Sequence, residues 1–455
     1  MTERLVVIGG DAGGMAAASQ ARRRKGPGAL EIVALEKGRW TSYSACGIPY
    51  LIGGDVDRLD DLVARTPQEF RDRQRIDVRM RSEAVAIDVA AQEVEVRDHE
   101  HDRTYTLGYD QLMIGTGAVP MRPDLPGITG PNVYGVQNLE DASRLLSATM
   151  AHAEGKRKVV VVGGGYIGLE MAEAYLNRGA DVTVVTATPQ PMSTLDLDFG
   201  ALVADAMRGH GIEVRCGERV SAFEPGAVHT SSGDRLEADL VILGMGVDPN
   251  SRLAADAGVE TGHRGAIRVD RRQRSTNTPN VWAAGDCAES FHRVTGQFVH
   301  VALGTVANKQ GRVAGINLGG GYATFPGVIG TAVTKLCALE VGRTGVTERE
   351  AEAAGFSFVA VTIDSTTRAG YFPGAQPIKI KLLAEHRSGR VLGAQIIGNE
   401  GAAKRIDVIA TAITAGMTVE DMTALDLSYA PPFAPVWDPV LIAARKAAEA
   451  LDGDA

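Results

Sequence analysis

The sequence predicts an α/β chain in which two Rossmann-like βαβ units are followed by a C-terminal α+β domain. Three observations carry that reading. A short β-branched run at residues 4–9 leads into a glycine-rich turn and then an alanine-rich stretch to Lys25, the order strand, turn, helix. The same order returns with a strand at 158–162, a turn at 163–168 and a helix at 169–178. From about residue 327 the chain changes to alternating strands (FVAVTI, IKIKLL, VLGAQII) and helices with no glycine fingerprint. Within this frame a strand at 31–35 closes the first unit at Glu36, and one at 181–185 closes the second. Residues 84–96 and 221–230 alternate like inserted hairpins. The expected division is 1–118 and 245–326 for a first domain in two segments, 119–244 for a second domain inserted in it, and 327–455 for the third.

Composition excludes several function classes. The 455 residues carry 47 Lys plus Arg against 56 Asp plus Glu, a net charge of −9, which argues against nucleic acid as a partner. With 44% apolar and 23% charged residues the chain buries a large core. Its 54 glycines suit a backbone that turns tightly or approaches phosphates. Four cysteines, at 46, 216, 287 and 337, are too far apart for a disulfide scaffold, and the nine histidines show no metal-ligand spacing. The start MTERLVVIGG has no signal-peptide pattern and no stretch is long enough to span a membrane. The expectation is a cytoplasmic protein with no metal and no membrane or nucleic-acid partner.

The first fingerprint is Gly9-Gly10-Asp11-Ala12-Gly13-Gly14, with Asp11 where a middle glycine is usual; Glu36, followed by Lys37, stands where an acid binds a ribose hydroxyl. The second, Gly163-Gly164-Gly165-Tyr166-Ile167-Gly168 continuing to Glu170, satisfies every glycine. Its second strand ends at Thr186 with neither an acid for a 2′-hydroxyl nor a following Arg for a 2′-phosphate, so NADPH or NADH fits, with NADPH weakly favoured. Two such sites in one chain imply a flavin and a nicotinamide.

Residues 112–118, 244–250 and 278–286, which include Thr116, Gly117, Gly246, Gly285 and Asp286, resemble recurrent segments of the two-dinucleotide-domain flavoprotein disulfide reductases, in the same order along the whole chain. The resemblance implies FAD held by the first fingerprint and Asp286, and NADPH or NADH held by the second. In dithiol members a second cysteine follows the first by five residues, but here Cys46 is followed at that distance by Leu51. Cys46 must act alone or pair with a small thiol, the alternative being a structural cysteine.

The context Cys-Gly-Ile-Pro-Tyr resembles the single-cysteine branches, namely coenzyme A-disulfide reductases and NADH oxidases and peroxidases. The latter carry a His where this chain has Ala12, which removes the general acid of peroxide chemistry. Resemblance to the coenzyme A branch implies substrate contacts at Gln20, Arg23, Ser42 and Asn308, and tyrosines Tyr371 and Tyr429 delivered across a homodimer interface. Phe372 departs from the usual Tyr-Tyr pair, and Ala45, Glu69 and Trp437 depart at substrate-side positions. Glu69 would repel the phosphates of CoA. The plainer readings are that Arg22 to Lys25 form a solvated helix end and that the tyrosines only pack an interface. The expected function is NAD(P)H-dependent reduction of CoA disulfide or persulfide through FAD and Cys46. The alternatives are a single-cysteine NAD(P)H oxidase, a quinone or metal reductase, and a redox-sensing flavoprotein without turnover.

Overall fold

Strand β1 (Glu3–Ile8) has Leu5, Val6 and Val7 with no exposed surface, so it must lie inside a sheet covered on both faces. In the computed structural model, which describes residues 2–151 and 156–453, β1 is the middle of a parallel five-stranded sheet. The glycine turn after it starts helix α1 (Ala12–Arg24), whose Ala17, Ala18 and Ala21 are fully buried, small enough for the helix to sit close on the sheet. Strand β2 (Leu30–Leu35) pairs with β1 on one side and Gln111–Ile114 pairs on the other. A short helix, α2 (Ile48–Gly53), follows β2. Residues 82–108 form a three-stranded antiparallel sheet, with Glu93–Asp98 alternating exposed and buried as the sequence pattern requires.

The second unit repeats this arrangement with strand β3 (Lys158–Val162), helix α3 (Tyr166–Asn177), strand β4 (Asp181–Thr186) and helix α4 (Leu197–Gly209). Its sheet is also parallel, in the order 213–216, β4, β3, 240–243, 133–135. Helix α3 begins at Tyr166, three residues before the expected start at 169. Gly168 lies within the first helical turn, where an added Cβ would collide with the Gly163 carbonyl oxygen, so this glycine serves close helix–strand packing rather than the turn itself. Residues 220–237 form the second antiparallel insert.

The chain then returns: Val281–Ala283 pairs in parallel with 111–114 and completes the first sheet. Helix α5 (Gly304–Leu318) lies along α1, and at Gly315 an added Cβ would strike the Ala17 carbonyl oxygen. The last domain is an antiparallel sheet in the order 332–336, 339–345, 391–398, 377–385, 358–366, backed by helices Ala402–Ala415 and Pro439–Gly453. The three strand-like segments read from the sequence fall inside its strands. Among the described residues no helix is long and apolar enough to cross a membrane.

The backbone contact at Gly315 gives a stability test. Gly315→Ala should cost about 1–3 kcal/mol through overpacking, visible as a fall in Tm. Gly209→Ala, at a helical glycine with nothing within 4 Å, should be neutral or slightly stabilising.

Candidate active site

Three loops meet at the carboxyl ends of the first sheet. Gly9 has φ +106°, and an added Cβ there would strike the Gly115 carbonyl oxygen; one at Gly13 would lie 2.8 Å from the Ala284 carbonyl oxygen. Backbone therefore lies on backbone at the switch point where open α/β sheets bind nucleotides. Glu36 braces the turn: its Oε2 accepts from Gly10 N–H at 2.8 Å and its Oε1 from Gly38 N–H at 2.6 Å, each oxygen keeping a free lone pair. Lys37 beside it is exposed. Asp286, next to Gly285, is half-buried and is pushed up to about 6 by burial alone, and among the described residues no donor hydrogen-bonds its carboxylate. A bare glycine turn flanked by two carboxylates with spare acceptor capacity fits the hydroxyls and pyrophosphate of FAD. Thr116 and Gly117 stand at the interdomain crossover, where Thr116 donates to Asn250 O at 2.5 Å and Asn250 N–H donates to Gly117 O at 3.0 Å. Gly246, with φ +95°, immediately precedes the other crossover strand, Val247–Pro249, and its carbonyl accepts from Met121 N–H.

The cysteine loop hangs from the same turn. Thr41 Oγ1 and Ser42 N–H both donate to Gly10 O, and Tyr43 N–H donates to Asp11 Oδ1 at 3.1 Å. The Asp11 side chain thus turns to the cysteine loop, while Ala12 begins α1. Ser42 is held at φ +51°, a left-handed conformation unusual for a non-glycine, and its carbonyl accepts from Ala64 N–H at 2.8 Å and Arg65 N–H at 3.3 Å. Cys46 lies in the turn Ala45–Gly47 just before α2 and is open to solvent. Although the residue meets solvent, the protein packed around its sulfur desolvates it, and this, then the Glu170 and Asp286 carboxylates and more weakly Asp11, push its thiol above the ordinary value. The side chains around Cys46 therefore favour its uncharged forms.

Glu170 reaches this point from α3 of the second unit. Burial pushes it up to about 7, and Thr334 Oγ1 of the third domain donates to it at 3.2 Å. Gly163 has φ +110°, and Gly165 has nothing within 4 Å of an added Cβ, which leaves that backbone open to a ligand ahead of Tyr166 and Ile167. Thr186 is buried and its hydroxyl lies 2.9 Å from that of Thr188. This turn fits a nicotinamide dinucleotide, and its neutral threonines neither repel nor pair a 2′-phosphate.

Beside the cysteine loop lies a groove of about 440 Å³ lined by Arg22, Arg23, Arg65, Arg73, Arg75 and Glu69. Arg22 is structural, donating to Leu30 O at 2.6 Å and Arg75 O at 3.1 Å, and Lys25 pairs with Glu3, so only Arg23 and Arg24 behave as a solvated helix end. Glu69 accepts from Thr66 N–H at 2.9 Å, lies 3.7 Å from Arg73, and is held below the ordinary carboxylate range, first by the Thr66 backbone bond. Its charge is thus answered locally. Gln20 accepts from Arg23 at 3.3 Å, and Asn308 is exposed on α5, bonded to Gly304 O. No local pattern in the sequence marks the arginines of the helix Pro67–Gln74 and its flanks, because only folding brings them to α1.

Tyr371 and Tyr429, 77% and 46% exposed, stand together, and the Tyr371 hydroxyl beside it raises Tyr429. Their loops are joined by Ala369 N–H to Pro431 O, and Arg405 braces both by donating to Thr367 O at 2.7 Å and Phe433 O at 2.8 Å. Phe433, Val436 and Trp437 extend the exposed apolar face. Phe372 is half-buried, which leaves Tyr371 as the outward member of that pair.

Known proteins align with this arrangement. A family model described as pyridine nucleotide-disulphide oxidoreductase matches residues 3–311, and one described as the dimerisation domain of that family matches 331–439. The CoA-dependent NAD(P)H sulfur oxidoreductase of Pyrococcus furiosus is 36% identical, over 97% of this chain and 98% of its own. Coenzyme A disulfide reductase of Staphylococcus epidermidis is 30% identical, over 94% and 96%. The crystal structure of reduced Bacillus anthracis CoADR-RHD superposes with a TM-score of 0.96 at 34% identity, covering all of this chain and 81% of that one.

The carboxylates around Cys46 set a pH test. Glu170→Gln removes a negative charge facing the thiolate and should lower the Cys46 pKa, speeding alkylation of the reduced protein at pH 8 by roughly threefold. Below pH 6 wild-type Glu170 is already mostly protonated, so the two proteins should converge. Equal rates at pH 8 would show that Glu170 does not act on the thiol.

Proposed function

The chain belongs to the pyridine nucleotide-disulphide oxidoreductase family, and from that membership we propose that it uses NAD(P)H to reduce coenzyme A disulfide or coenzyme A persulfide at Cys46. Its cofactors are FAD and NAD(P)H. The observation that carries the substrate reading is the solitary thiol. Leu51, where a second thiol would stand, is 1% exposed in the core, and all four cysteines are free. Cys287 is fully buried with its sulfur toward Ile114 O and Ala284 O. A lone cysteine takes a disulfide by making the mixed disulfide with the substrate itself: the Cys46 thiolate binds one substrate sulfur and the other leaves as a thiolate.

Held in this cradle, FAD would supply the two-electron transfer between NAD(P)H and that sulfur–sulfur bond, chemistry that no side chain supplies. Gly9, Gly14, Glu36 and Asp286 would hold and orient it. Thr41, Ser42 and Asp11 fix the cysteine loop on the same turn, so sulfur and cofactor are positioned by one set of hydrogen bonds. The arginine groove beside Ser42 supplies cations for the phosphates of CoA, with Gln20 and Asn308 as polar contacts along the α1–α5 seam. Two copies joined through the third domain cover the apolar face at Tyr371, Tyr429 and Trp437 and bring the two tyrosine hydroxyls to the partner's site.

Intact-mass measurement tests the mixed disulfide directly. Protein exposed to CoA disulfide should carry one CoA adduct per chain, lost on reduction and absent in Cys46→Ser. That variant should still be bleached by NAD(P)H, and wild-type disulfide turnover in it would remove Cys46 from the reaction. A second measurement addresses the groove: Arg23→Ala and Arg65→Ala should each raise KM for CoA disulfide by about tenfold while leaving KM for NAD(P)H unchanged, since charge-assisted phosphate contacts contribute about 1.5–3 kcal/mol.

A further inference from the structure

The loop between β4 and α4 runs directly against the second fingerprint turn. Met192 N–H donates to Gly164 O at 2.6 Å, and an added Cβ at Gly164 would lie 3.2 Å from Pro191. Met192 itself is held at φ +52° and is 1% exposed. Asp196 is the N-cap of α4, yet its carboxylate makes no hydrogen bond to its own helix. It is engaged from the third domain instead. Oδ1 accepts from Glu348 N–H at 3.1 Å, Oδ2 accepts from Gln395 Nε2 and lies 3.4 Å from Lys381 Nζ, and Asp196 N–H donates to Gln395 Oε1 at 2.8 Å. Lys381 and Gln395 are buried, and the Lys381 ammonium also meets Asp198 at 2.7 Å and Glu348 at 2.5 Å, filling the space among the three acids. Two residues earlier, Thr194 O accepts from Arg343 Nη1 at 2.7 Å, and Arg343 is 7% exposed and anchored on Glu350 at 2.9 Å.

A helix cap that forgoes its own helix and is met by three donors from another domain is committed to a joint between domains. We infer that Asp196 and Arg343 are positioning residues for the nicotinamide dinucleotide: through them the third domain clamps residues 191–196 against Gly164 and keeps the second fingerprint turn in its binding shape. The inference rests on the reading that this turn binds NAD(P)H.

Asp196→Ser keeps a residue that caps α4 but is too short to reach Gln395 and Lys381. Arg343→Lys keeps the charge for Glu350 but loses the fork that spans Glu350 and Thr194 O. The probe is NADP+ binding to the purified holoprotein by calorimetry, together with steady-state kinetics. Each variant should weaken NADP+ binding and raise KM for NAD(P)H by about tenfold, with kcat at saturating nucleotide, KM for CoA disulfide and flavin content unchanged. Unchanged NADP+ affinity in both variants overturns the clamp, as does a loss of kcat with KM intact. Wild-type protein that binds neither NADP+ nor NAD+ overturns the dinucleotide reading itself, a different result. Should Asp196→Ser fail to fold, Arg343→Lys alone decides.

Discussion

Everything at the first nucleotide turn converges on the backbone of Gly10. Its N–H is held by Glu36, and its carbonyl takes both the Thr41 hydroxyl and the Ser42 N–H. One residue therefore fixes the distance between the cofactor turn and the loop that carries the thiol. The neighbouring glycines follow from the same constraint, since an added Cβ at Gly9 would strike the Gly115 carbonyl oxygen and one at Gly14 the Gly9 carbonyl oxygen, pushing the turn away from its neighbouring loop and from α1. The left-handed Ser42 is a cost of that geometry, offset by the two N–H groups of residues 64 and 65 that its carbonyl receives.

The two nucleotide units share a grammar but hold their turns differently. In the first, an acid at the end of β2 reaches back to the turn within its own unit. In the second, the corresponding position is Thr186, and the loop beyond it is fixed from outside by Arg343, Gln395 and Lys381. Glu170 adds a link in the other direction, running from the second unit to the surroundings of Cys46 while bonded to Thr334 of the third domain. The site is thus assembled from all three domains, although the residues with recognisable motifs come mostly from two.

What the sequence discloses is local. Strands β1 to β4, both glycine turns and the inserted hairpins follow from β-branched runs, glycine spacing and alternation, all of which act over a few residues. The sequence pattern places the start of α3 at 169 because a fingerprint glycine looks like part of a turn, whereas Gly168 is inside the helix for the sake of a contact with Gly163. Asp11 sits in a phosphate-type turn, and nothing nearby in sequence shows that its carboxylate faces Tyr43. Glu69 read as a repulsive charge because its capping partner and Arg73 matter only once the helix exists. The Asp196 joint pairs residues about 150 to 200 positions apart, a separation at which one sequence carries no signal.

The strand at 281–283 and helix α5 also order events in time. The first sheet lacks an edge strand, and α1 lacks its partner helix α5, until residues 281–318 have been synthesised. The intervening unit is continuous in sequence and has its own parallel sheet, so it is able to fold while the first is still open. Asp286 arrives with that late segment. The first sheet is therefore completed only by closing a loop of more than 150 residues, and a ribosome-bound fragment ending before residue 281 would have the first glycine turn but neither that edge strand nor Asp286.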